Sequence, residues 1–278
     1  MIILPDIKPY ERPLTPAPPN LDTFPIYATL NKGMKLFREE DFSLLIPKEG
    51  HRDYTKLHMS SIGHCGRKEW FHLYDTEKYD ALEANLRRRI PPPYVAWHFG
   101  HIVEAYTLHL LRLGGLTPFN EQKELFDLNK KIVGHIDGMV TIGGKDFLIE
   151  VKGLKHESAD LVLTYGLRKA IPGYYDQMTY YMHCLGVEAG YIIVLDKDTS
   201  TWYTEKIKLD EERVKFLRRK VLTLSGLKML EEVPEQFLVR DCRFCPLIEM
   251  CADLEGKDKF IQNFIDSERR SINEQSTL

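Results

Sequence analysis

The stretch that decides the fold runs Gly134-His135-Ile136-Asp137-Gly138, passes through Gly143-Gly144, and ends Phe147-Leu148-Ile149-Glu150-Val151-Lys152. Residues Lys131 to Ile142 and Asp146 to Lys152 are two β-rich runs, and the paired glycines between them predict a hairpin turn. Alternate side chains of a strand share a face. Phe147, Ile149 and Val151 therefore point one way, and Leu148, Glu150 and Lys152 the other. The turn brings Asp137 near Glu150 and Lys152. Two neighbouring carboxylates repel unless a cation bridges them or one takes a proton. Mg²⁺ and Mn²⁺ take oxygen ligands of this kind and complete their shell with water or phosphate. Asp137 and Glu150 as metal ligands, with Lys152 to orient water and offset developing charge, suit hydrolysis of a phosphodiester. The plainer reading of Glu150-x-Lys152 alone is a surface ion pair.

Outward from the hairpin, the period changes. Residues 66–89 read as a helix ended by Pro91-Pro92-Pro93, and Tyr94 to Leu113 as a second helix stopped by Gly114-Gly115. Tyr174 to Leu185 is helical, Tyr191 to Leu195 is a short buried strand, Trp202 to Leu209 is another strand, and Glu211 to Glu232 is a long charged helix. This order is α/β. Two pairs of residues each share a face of their own helix. His101 and Glu104, three apart, offer one further metal ligand; Gln177 and Tyr181, four apart, offer an amide and a phenol to a phosphate or a base. The first 25 residues carry seven prolines and read as an extended arm. The division expected is an arm and lead-in over 1–50 and one domain over 51–278.

Cys242-x2-Cys245-x5-Cys251 is the sharpest local motif. Close cysteines on a tight turn chelate a soft metal, either zinc or an iron–sulfur cluster on spacing alone. A fourth ligand is needed, and Cys65 suits better than Cys184, which lies in an apolar helical run. Five cysteines, three of them within ten residues, do not form a disulfide framework. With no targeting or membrane segment legible, the expected compartment is a reducing cytoplasm. A formal net charge of −3 excludes a general basic coat, so any nucleic-acid site is a local groove. Basic residues cluster along the chain, among them Arg67-Lys68, Lys152 with Lys155, and Arg168-Lys169, and aromatics such as Trp70 and Tyr174 lie among these clusters. Single-stranded DNA sites combine such residues.

Taken in order, Ser61-x3-Cys65-x-Arg67, Gly100-x3-Glu104, Gly134-His135-Ile136-Asp137, Glu150-Val151-Lys152, Gln177-x3-Tyr181 and Cys242-x2-Cys245-x5-Cys251 resemble the RecB-like nucleases that carry an iron–sulfur cluster. These are the CRISPR-associated exonucleases, their phage relatives and the AddB nuclease domain. The resemblance implies a PD-(D/E)XK restriction-endonuclease-like core, a mixed central sheet flanked by helices, and a helical part stapled by a 4Fe-4S cluster on Cys65, Cys242, Cys245 and Cys251. It implies Mg²⁺- or Mn²⁺-dependent cleavage of DNA, often single-stranded, with Asp137, Glu150, Lys152, Gln177 and Tyr181 as the catalytic set. Where this chain has Glu104, CRISPR-associated members usually carry histidine and several phage exonucleases carry glutamate; His101 lies one turn away. Arg67, Lys155 and Tyr174 are the expected DNA contacts. Expected partners are DNA and proteins of recombination or CRISPR adaptation, with no membrane. The rival readings are a non-catalytic DNA-binding or assembly subunit and an electron-transfer iron–sulfur protein.

Overall fold

The hairpin forms where the glycines place it. In the computed structural model, which describes residues 24–36, 56–87, 94–226, 242, 245–255 and 262, β4 (Gly138–Ile142) pairs antiparallel with β5 (Lys145–Leu154), Ile142 opposite Lys145. Gly143 and Gly144 form the two-residue turn with φ of +58° and +75°. Both values lie in the left-handed region that the tight hairpin turn demands and only glycine occupies freely. The chain divides into two compact units, Thr15–Gly63 with Pro93–Arg219, and Met1–Leu14 with His64–Pro92 and Lys220–Leu278.

The larger unit is a mixed α/β structure. Its main sheet has the order β4-β5-β6-β7, with β6 spanning Ala189–Asp196 and β7 Thr201–Lys208. β5 and β6 run parallel, which requires a crossover. That crossover contains α5 (His156–Tyr165), α6 (Leu167–Ala170) and α7 (Pro172–Leu185). The two faces of β5 divide as its alternation predicts. Ile149 and Val151 join Val140, Tyr191, Ile193 and Trp202 in a core closed by Ile26 and Leu30 of α1 (Phe24–Leu36) and by Val103, Leu110 and Leu111 of α4 (Tyr94–Gly114). The opposite face carries Leu148 and Glu150 toward α7. Each fully buried aliphatic side chain contributes about 1.5–3 kcal/mol, so this core fixes the register that sets Glu150 on the α7 side.

A second sheet has the order β1-β3-β2, from β1 (Leu57–His58), β2 (Glu124–Asp127) and β3 (Ile132–His135). Here the structure corrects the sequence reading. The run from Lys131 to Ile142 is two strands in two sheets, broken at Ile136-Asp137. The Ile136 N–H donates to Lys123 O at 3.2 Å and its carbonyl accepts from Gln122 N–H at 2.9 Å, which draws the backbone out of line. Helix α1 begins at Phe24, within the span expected to be arm and lead-in; residues 1–23 and 37–55 lie outside the described residues.

In the smaller unit the helix expected over 66–89 is two helices, α2 (Gly66–Tyr74) and α3 (Thr76–Arg87). Asp75 leaves helical geometry at φ −147° and accepts the Lys78 N–H at 3.3 Å, ending one helix and capping the next. Helix α8 (Glu211–Leu224) is shorter than expected, and its C-terminal end belongs to this unit, where Leu224 O accepts from the Tyr74 hydroxyl at 3.3 Å. The last described helix is α9 (Ile248–Glu255). No described helix is long and apolar enough to cross a membrane.

Candidate active site

Four elements of the larger unit converge around β5 where its pairing with β4 ends, α4 from one face of the sheet and α7 from the other. The break before β4 supplies Asp137, β5 supplies Glu150 and Lys152, α4 supplies Glu104 and His101, and α7 supplies Gln177, Tyr181 and Tyr174. The sequence predicts every one of these, and the fold gathers them.

Asp137 stands just beyond the end of the β4–β5 ladder. With no partner strand there, its Oδ2 takes the Val151 N–H at 2.7 Å, so the carboxylate caps the sheet edge and is fixed against β5. Glu150 is fully buried. Its Oε1 accepts from Lys152 Nζ and, at 2.8 Å, from Gln177 Nε2, while its Oε2 is buried with no hydrogen-bond partner among the described residues. The surface ion pair allowed by the sequence is therefore ruled out, because Glu150 meets no solvent. Lys152 also lies over the Tyr174 ring, 5.1 Å from its centroid. Gln177 reaches the Tyr181 hydroxyl at 3.3 Å, and Tyr181 is itself buried.

Gly134 explains how that tyrosine fits. A Cβ at this position would stand 2.5 Å from Tyr181 Cε1 and 2.9 Å from Met59, so the ring occupies the space that any side chain would need. Next to Gln177, Asp176 is 2% exposed and takes both Nε and Nη2 of Arg213, at 2.6 and 2.7 Å, which anchors this turn of α7. On α4, Glu104 Oε2 lies 3.8 Å from His101 Nδ1, and Oε1 accepts from Gln122 Nε2. Gln122 is a site residue that the sequence reading missed. It sits in a loop with no periodicity or motif to mark it.

Charge is the defining feature of the site. Burial, then the charges of Asp137 and Glu150, push Glu104 up to about 8. Burial, then Asp137, push Glu150 up to about 8. Burial raises Asp137 as well, against the opposing charge of Lys152 and the Val151 hydrogen bond. For Lys152, burial acts to lower the pKa, but Glu150 and Asp137 outweigh it and hold the ammonium above its ordinary value. Three carboxylates and one ammonium would leave two negative charges in a largely buried place. Protons or a cation must offset them.

A divalent cation would supply the missing charge, and the donors fit one in type: carboxylate oxygens, including the unpartnered Oε2 of Glu150. They are not drawn into a ready-made claw. Among the described residues no three His, Cys, Asp or Glu side chains are gathered closely enough to hold a metal ion. Glu150 turns instead to Lys152, and Asp137 to the Val151 amide.

Of the expected DNA contacts, Tyr174 lies against Lys152, and Lys155 is exposed where β5 leads into α5. Arg67 is different: it is 6% exposed within the smaller unit, so its guanidinium does not lie on an open face. In that unit Cys65, Cys242, Cys245 and Cys251 are all half-buried, and none is in a disulfide. Burial, with the nearby Cys65 and Cys251, pushes Cys245 up to about 11, which places thiols 180 residues apart in sequence within electrostatic reach. Cys184 belongs to the larger unit, where burial and then Asp127 push it up to about 12.

No protein-family model matches this chain, and no curated protein sequence matches it. Solved structures with a similar arrangement include that of SSO0001, 16% identical with a TM-score of 0.48 over 84% of this chain and 96% of that one. Another is an alkaline exonuclease, LHK-Exo, from Laribacter hongkongensis, 17% identical with a TM-score of 0.45 over 78% of this chain and all of that one. A third is a phage related exonuclease from Haemophilus somnus 129PT, 18% identical with a TM-score of 0.42 over 61% of this chain and 91% of that one. These likenesses are loose.

Proposed function

We propose that this chain is a metal-dependent deoxyribonuclease of PD-(D/E)XK type that removes nucleotides from DNA ends, with single-stranded ends as its substrate. The observation that carries the reading is the convergence of Glu104, Asp137 and Glu150 on one half-buried lysine, a charge imbalance that a structural ion pair has no use for. Asp137 and Glu150, with Glu104 or His101, would hold Mg²⁺ or Mn²⁺. When bound, such a cation would offset the charge that builds on the phosphoryl oxygens and lower the pKa of attacking water. Lys152 spends one N–H on Glu150 and has others to donate to a phosphate oxygen or to that water. Gln177 holds Glu150 in place from the α7 side. Tyr174 offers a ring beside Lys152, and Arg168 over Tyr175 and Lys197 over Phe99 repeat the pairing of cation and ring on the same unit. Single-stranded nucleic acid is held by this combination.

In the smaller unit, the same reading assigns a 4Fe-4S cluster to Cys65, Cys242, Cys245 and Cys251. The four half-buried thiols and the nearness of Cys65 and Cys251 to Cys245 support it. The test of the whole reading is incubation of the pure protein with end-labelled single- and double-stranded DNA, with Mn²⁺ or with chelator. Mn²⁺-dependent shortening of single strands is expected. Tight DNA binding without any cleavage would favour a non-catalytic DNA-binding subunit instead.

A further inference from the structure

The loop between α4 and β2 holds two non-glycine residues in the left-handed region, Asn120 and Gln122, each at φ +54°. Asparagine tolerates this backbone; glutamine does so less readily. Gln122 is exposed, so no core packing compensates for it. Its surroundings show what holds it there. The Gln122 N–H donates to Ile136 O at 2.9 Å, the Ile136 N–H returns to Lys123 O at 3.2 Å, and Lys123 N–H closes on Asn120 O at 3.1 Å. Phe119 and Met139 exchange a further pair of bonds at 2.9 Å each, and Arg112 of α4 pairs with Glu121. The loop is thereby pinned on one side to the residue immediately before Asp137 and on the other to α4. From this position the Gln122 side-chain amide donates to Glu104 Oε1.

Glu104 needs such a hold. It sits on a flexible side chain, 18% exposed, and the neighbouring carboxyl groups of Asp137 and Glu150 disfavour its charged form. We propose that Gln122 is a positioning residue: its amide, aimed by the strained backbone, keeps the Glu104 carboxylate turned in toward Asp137 and Glu150, where a divalent cation is taken up. This rests on the metal-dependent reading above and adds to it the residue that sets the third carboxylate.

The test uses Gln122→Asn. Asparagine suits the left-handed backbone and keeps an amide, but it is one methylene too short to reach Glu104. The variant should melt at or above the wild-type temperature, yet bind Mn²⁺ about tenfold more weakly in calorimetry, the scale of one lost hydrogen bond to a charged group. Wild-type affinity in the folded variant overturns the proposal. A second readout needs no metal. In chelator, the Gln122 side-chain NH₂ resonances should be displaced from free-amide positions in the wild type and return to them in Glu104→Ala. Resonances already at free-amide positions in the wild type overturn the proposal whether or not Mn²⁺ binds. If the wild type binds no Mn²⁺ while these resonances are displaced, the Gln122–Glu104 hold stands and the metal-dependent reading fails.

Discussion

Without metal, the protein should lose stability as the pH rises through neutrality, the reverse of acid denaturation. Glu104 and Glu150 both stand near 8 in the folded chain against an ordinary 4.5, because burial and neighbouring carboxylates disfavour their charged forms. Between these values the folded state keeps protons that the unfolded chain has released. The stabilisation is therefore complete below the unfolded pKa and lost as the pH climbs toward 8. Each such proton gives a slope of about −1.4 kcal/mol per pH unit. Because the two groups are coupled, a single shared proton is the safer minimum. It amounts to a loss of ~3 kcal/mol over two pH units, a large part of a total stability of about 5–15 kcal/mol. Asp196, held at about 2 by hydrogen bonds from Thr199 and His156 against the effect of burial, titrates too low to mask the trend. The assay is urea denaturation in chelator from about pH 5.5 to 7.5, on the wild type, Glu104→Gln and Glu150→Gln. Each variant should flatten the slope, and saturating Mn²⁺ should reverse it in the wild type. Wild-type stability that is level or rising across this range, or a slope untouched by both substitutions, would refute the account of the site's charge.

Gly134→Ala should cost about 1–3 kcal/mol, the range for overpacking a filled interior, because its Cβ would press on Tyr181 and Met59; an unchanged melting temperature contradicts the packing described. The wild type purified without oxygen should carry about four irons per chain, Cys245→Ser should lose them, and Cys184→Ser should keep them; iron retained in Cys245→Ser, or stoichiometric zinc in place of iron, argues against the cluster. DNA affinity should fall steeply with salt despite the net negative charge, because phosphate contacts release counterions; an affinity flat in salt excludes a phosphate-tracking groove.

The hairpin was legible because period-two alternation and the paired glycines are local signals, and they fix the face on which Glu150 and Lys152 lie. His101 with Glu104 and Gln177 with Tyr181 were legible for the same reason, as helical spacing on one face. The break at Ile136-Asp137 was not. It is imposed by pairing with residues 122 and 123, and nothing in Lys131 to Ile142 announces a change of sheet. Gln122 carries no signal in the sequence, because what brings it to Glu104 is a backbone angle and a partner 18 residues away. Helix α1 was hidden because prolines dominate the first 25 residues, and the last of them, Pro25, stands in the helix's own first turn, where proline is tolerated. The split at Asp75 depends on one residue that acts at once as a stop and a cap. The burial of Glu150 excludes an ion pair on the surface, and burial is a property of the assembled fold rather than of a strand.

The most direct measurement is the rate of Mn²⁺-dependent nucleotide release from end-labelled single-stranded DNA by Glu150→Gln and Lys152→Ala, each first shown to be folded and to bind DNA. The account predicts no release by Glu150→Gln, and by Lys152→Ala a rate lower by a factor on the order of 10² or more, as for the loss of a transition-state donor. Release by both variants at the wild-type rate would contradict it, and the hairpin would not be the active site.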